Sequence, residues 1–177
     1  MNSLTMGAPD MQLQGAEIIA AIKAAAITHV VSVPDLTTSE GVLWPLSRDR
    51  DLRLVRVSRE EEGVGICAGL AAAGVRGAML IQYTGFLASM NAIRAIAMEY
   101  RQPICMLVGL LFADSPEDPE QSANYGVNRM LPLLRTLGMQ HLVVSSNADV
   151  AQIAPALESA FRESSPLCIL ISRYPSA

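Results

Sequence analysis

Three carboxylates stand together at Glu60, Glu61 and Glu62, and every residue from Gly63 to Gly74 is small or apolar. A helix start accounts for part of this. With Ser58 as N-cap, Glu61 closes a capping box, and all three acids favour the positive end of the helix dipole. That role does not explain the dozen residues that follow. A helix with no polar face is expected to be buried all round, so at least one neighbouring carboxylate should be shielded from water. Such a carboxylate needs a partner and is suited to sharing or donating a proton near neutral pH.

Other chemistries are poorly served. Gly63, Gly65 and Gly69 lack dinucleotide-fingerprint spacing, because the third glycine would fall at Ala68, and acids precede them where a pyrophosphate would lie. There is no G-x-x-x-x-G-K-[ST] phosphate loop and no G-x-S-x-G nucleophile elbow. His29 and His141 are isolated from cysteines and paired acids, so no metal site is expected on this chain. Cys67, Cys105 and Cys168 each lie in an apolar run and read as buried free thiols.

The elements that must position the glutamates follow from periodicity. Helical spacing is read over residues 14–27, 39–48, 60–74, 89–100, 131–137 and 149–163. Short apolar or β-branched runs at 29–33, 52–57, 78–82, 104–108, 141–144 and 167–171 read as strands, and 110–128 as a polar loop. About six βα units with strands apolar on both faces predict an α/β fold: a doubly wound, mostly parallel sheet with helices on both sides. Ligands then bind at the carboxyl ends of the strands. The 177 residues suit a single domain, with residues 1–12 expected to be a flexible N-terminus. A net charge of −4 offers no attraction to nucleic acid or an anionic membrane. No apolar run is long enough to span a bilayer, and no signal peptide is evident, so a cytoplasmic location is expected. The high mean hydropathy is consistent with a surface covered by another subunit.

Three blocks resemble the pyrimidine-binding domain of thiamine diphosphate (ThDP)-dependent decarboxylases and carboligases, nearest the sulfopyruvate and phosphonopyruvate decarboxylase branch. HVVSVPD (29–35) is similar to that family's turn after its first strand. SREEEGVGICAGLAAAG (58–74) is similar to its catalytic helix, and LIQYTGFLASMNAI (80–93) to its following loop. QSANYG and LPLLRTLGM, within 121–139, fit the end of the same domain.

The resemblance implies a 2-oxo acid decarboxylase subunit whose buried glutamate hydrogen-bonds the cofactor's aminopyrimidine and so helps activate the thiazolium carbon. The family spacing, with Gly63 two residues on and Ala68 seven, selects Glu61. It implies Pro34, Thr84 and Gly85 beside the cofactor, and Asp35, Thr37, Gln82 and Tyr83 as candidates for the substrate pocket. Where the family has a second glycine and an asparagine, this chain has Leu87 and Ala88, with Tyr83-Thr84 in place of a small polar pair. A larger or aromatic 2-oxo acid is therefore an alternative to a small anionic one, and carboligation an alternative to decarboxylation. A non-catalytic, partner-binding version of the domain is a further alternative. The pyrophosphate and Mg²⁺ are held in this family by a domain with a G-D-G motif and a later Asn, and G-D-G is absent here. A β subunit carrying that motif is thus expected as partner, in a hetero-oligomer with at least two copies of each chain.

Overall fold

A computed structural model describes residues 13–177. The expectation of a flexible stretch at 1–12 lies outside the described residues. In chain order the elements are α1 (Gly15–Ala24), β1 (His29–Ser32), a π-type turn (Ser39–Leu43) running into α2 (Trp44–Leu46), and β2 (Arg53–Arg56). Next come α3 (Glu60–Ala72), β3 (Gly77–Gln82), α4 (Tyr83–Ala88), and α5 (Met90–Ala92), which continues as a π-type segment (Ile93–Glu99). β4 (Cys105–Gly109), a 3₁₀ turn (Pro119–Gln121), α6 (Tyr125–Asn128) and α7 (Met130–Leu137) follow. The chain ends with β5 (Gln140–Val144), α8 (Asn147–Val150), α9 (Ile153–Glu163) and β6 (Leu167–Ile171).

The six strands form one all-parallel sheet in the order β2-β1-β3-β4-β6-β5. Successive residues of each central strand enter opposite cores. Val30, Leu80 and Leu107 pack with α1, the 39–46 segment and α9. Val31, Met79, Ile81 and Met106 pack with α3, α4, residues 93–97 and α7. This is the doubly wound architecture that the two-sided apolar strands predict. The chain runs from β1 outward to β2, then crosses back to β3 on the other side of β1. The topological switch point therefore lies between β1 and β3, where such sheets open a crevice at their carboxyl ends.

Three local expectations are corrected. The helix expected at 89–100 begins earlier, at Tyr83, directly after β3. The N-cap of α3 is Arg59, not Ser58, so the N3 acid that reaches back is Glu62 rather than Glu61. Its carboxylate accepts from the Ser58 and Arg59 backbone N–H groups at 3.0 and 3.3 Å. Nor is α3 buried all round. Its inner face is Gly63, Val64 and Cys67, whereas Gly65, Gly69 and Ala72 are exposed, with open space where side chains at the two glycines would stand. Gly63 alone has the close-packing role: a Cβ there would come within 2.9 Å of Met79 Cε and 3.3 Å of Val31 Cγ1.

Candidate active site at the switch point

Helix geometry gives the three glutamates three different surroundings. Glu60 precedes Gly63, Val64 and Cys67 by three, four and seven residues, which places it on the buried face of α3. Its carboxylate lies against Gly85 in the first turn of α4, in the space a Cβ at residue 85 would require. Glu61 points to the uncovered side. It pairs with the exposed Arg59 at 2.6 Å, and its side chain is 34% exposed. A surface pair of that kind contributes little to stability. Glu62 caps the helix. Glu60 and Glu61 are both partly buried, and the one set against a packed neighbour at the carboxyl edge of β3 is Glu60. Counting the helical period back from Cys67 was the signal that could have found it.

The turn after β1 is organised by Asp35. Its Oδ1 accepts from the Thr37 and Thr38 backbone N–H groups, the latter at 2.8 Å, and its Oδ2 accepts from the Thr38 hydroxyl. The Ser39 hydroxyl donates to the Asp35 carbonyl. Asp35 is buried and fully engaged, which makes it a positioning residue for this turn. The turn leans over Gly109 at the end of β4: a Cβ there would meet Asp35 Oδ1 and Thr37 Cβ at 2.8 Å. Thr37 is buried beside it, and its hydroxyl has no hydrogen-bond partner. Pro34 is exposed at the mouth of the turn.

On the β3 side, Gln82 donates from Nε2 to Thr84 Oγ1 at 2.6 Å, and both groups are accessible. Tyr83 is half-buried. Its ring fills the space beside Gly126, and its hydroxyl donates to Asn124 Oδ1 at 3.4 Å, tying α4 to the segment that precedes α7. Phe86 is wholly buried core. The loop from 110 onward is pinned by Asp114, which accepts from the Ser122 hydroxyl and from the Ala123 N–H at 3.1 Å. The Ser122 bond, helped by Ala123 against partial desolvation, holds the Asp114 carboxyl below the usual carboxylate range. Arg135 pairs with Glu120 at 2.7 Å, and Arg129 stacks on Tyr125.

A cleft of about 510 Å³ opens beside the β1 turn. Pro34, Leu36, Thr37, Trp44, Tyr174 and Pro175 form much of its wall. Leu36 is 69% exposed and Tyr174 is half exposed. Nothing in the sequence joined Trp44 and Tyr174 to this turn; the sheet order brings them there. Leu87 and Phe112 add exposed apolar surface after β3 and β4.

The sulfopyruvate decarboxylase subunit alpha of Methanococcus maripaludis is 36% identical over 88 residues, covering 50% of this chain and 52% of that one. The corresponding subunit of Methanothermobacter thermautotrophicus is 36% identical over 99 residues, covering 55% of this chain and 59% of that one. The chain is similar to sulfopyruvate decarboxylase α subunits. It spans between half and two thirds of the length of these two curated relatives. The sulfopyruvate decarboxylase of Methanosarcina acetivorans is 28% identical over 121 residues, covering 67% of this chain but 30% of that longer protein. No protein-family model matches the chain. Among the described residues, no helix is long and apolar enough to cross a membrane.

Proposed function

We propose that this chain is the pyrimidine-binding α subunit of a two-chain, ThDP-dependent 2-oxo acid decarboxylase of the sulfopyruvate decarboxylase type. The observation that carries the proposal is the Glu60 carboxylate set against Gly85 at the switch point, in a chain 36% identical to subunits of that name. The residues present fit the aminopyrimidine half of ThDP. A partly buried carboxylate can bond a ring nitrogen, and the side-chain-free Gly85 leaves room for that carboxylate at the strand end. When bound, ThDP supplies the carbon nucleophile and takes up the electron pair of the breaking C–CO₂ bond.

The chain's own part is to hold and orient. Glu60 would share its proton with the ring nitrogen, and α4 would keep water from that bond. Asp35 would fix the turn that carries Pro34, Leu36 and Thr37 toward the substrate. Thr84, at the start of α4, would lie beside the ring with Gly85. Glu61 is the second reading for the activating carboxylate, favoured by the family spacing around Gly63 and Ala68. A partner chain bearing G-D-G and a later Asn would hold the pyrophosphate and Mg²⁺. It would also cover the face of α3 that carries Gly65 and Gly69, in a cytoplasmic hetero-oligomer.

Calorimetric titration of ThDP with Mg²⁺ into the chain, alone and with the partner, tests the reading. Saturable heat that requires the partner is expected. No heat in either arrangement would overturn it.

A further inference from the structure

The walls of the cleft beside the β1 turn state a chemical preference. Pro34, Leu36, Trp44, Tyr174 and Pro175 offer apolar and aromatic surface. Of the polar groups among them, the Thr37 hydroxyl is unpartnered, and those of Asp35, Ser39 and Glu40 are engaged or carry negative charge. The Asp35 carboxylate is held by Thr37 and Thr38, the Ser39 hydroxyl donates to the Asp35 carbonyl, and Glu40 adds an exposed carboxylate at the rim. No lysine, arginine or histidine is among the lining residues. Arg56 lies over the Trp44 ring at 5.5 Å from its centroid. A sulfonate or phosphonate is held best by cationic side chains, and the lining residues include none, leaving only neutral donors such as the Thr37 hydroxyl and the Trp44 indole N–H. Its volume of about 510 Å³ suits a small organic ligand.

We propose that this cleft receives the side chain of the substrate, and that the side chain is an uncharged apolar group of aromatic size. The proposal rests on the reading of the chain as a subunit of a 2-oxo acid enzyme and narrows the substrate class. Leu36 is the gatekeeping residue in this proposal: it follows Asp35, lines the cleft and is 69% exposed. Trp44 and, from the segment after β6, Tyr174 line the same cleft.

Trp44 is the single tryptophan in the sequence, so its emission reports on the cleft without a label. The full chain is titrated with 3-phenylpropionate and with 3-sulfopropionate, which share a carboxylate and differ in the group at the far end. The phenyl acid is expected to change Trp44 emission saturably, at a half-saturating concentration about tenfold or more below that of the sulfonate. Leu36→Lys, at an exposed position that circular dichroism should show to fold normally, is expected to weaken the phenyl acid and strengthen the sulfonate. Equal or tighter binding of 3-sulfopropionate, saturation by neither acid, or indifference of both to Leu36→Lys would overturn the proposal. The titration needs neither cofactor nor partner, so its failure is separable from failure of the ThDP titration.

Discussion

The Glu60 carboxylate occupies the space that any side chain at residue 85 would need. The two positions are therefore mutually exclusive in size, and the first turn of α4 is shaped around an acid from α3. Gly85→Ala should force the carboxylate out and destabilise the chain by about 1–3 kcal/mol, as overpacking does. Glu60→Ala should relieve most of that cost, leaving a coupling of about 1 kcal/mol in a double-mutant cycle read by urea unfolding. Additive effects would show that the two residues do not share the space.

The thiols should be silent in the native chain. Burial pushes Cys67 and Cys105 up to about 12 and raises Cys168 as well, so each stays protonated at physiological pH. A chromogenic disulfide reagent at pH 8 should therefore find no fast-reacting thiol before unfolding and three afterwards. A native thiol that reacts at the rate of free cysteine would contradict the packing of both cores.

The loop after β4 should carry an acid-sensitive anchor. Hydrogen bonds from Ser122 and Ala123 depress the folded Asp114 carboxyl below its ordinary 3.8. A depressed carboxyl contributes stability above its unfolded pKa and loses it as pH falls through the folded value. Wild type should therefore be more stable than Asp114→Asn at neutral pH. The gap should close below about pH 4, as the carboxylate takes up its proton. Urea midpoints measured from pH 2 to 7 would show it, and a gap independent of pH would exclude this anchor.

Much of the fold was legible because apolar runs of strand length repeat between helical segments. The run at 167–171 became β6 with the same limits, and 104–108 became β4 within one residue. The start of α4 was not legible. Tyr83, Thr84 and Gly85 carry no helix-start signature, and Gln82 makes no side-chain cap bond, so the turn depends on tertiary packing against Glu60 and Gly126. The exposed face of α3 misled for a related reason. Glycine and alanine suit a helix buried within its own chain as well as one left for another surface, and the pattern alone does not separate the two. The placement of Glu60 on the inner face of α3 was readable in principle, because it shares the period of Gly63, Val64 and Cys67. The family spacing pointed one residue further on, and the N-cap at Arg59 rather than Ser58 moved the capping role to Glu62. The cleft could not be read, since Leu36, Trp44 and Tyr174 meet only after the sheet has assembled.

The central claim is that one of three adjacent glutamates serves the cofactor, and that it is the one facing Gly85. Decarboxylation of a 2-oxo acid by the reconstituted two-chain complex should be compared for Glu60→Gln and Glu61→Gln, each neutral and close in shape to the native side chain. The account predicts that Glu60→Gln lowers kcat by about 100-fold or more, the usual scale for a lost proton-transfer group, while Glu61→Gln stays within a few-fold of wild type. Full activity in Glu60→Gln together with loss in Glu61→Gln would contradict it.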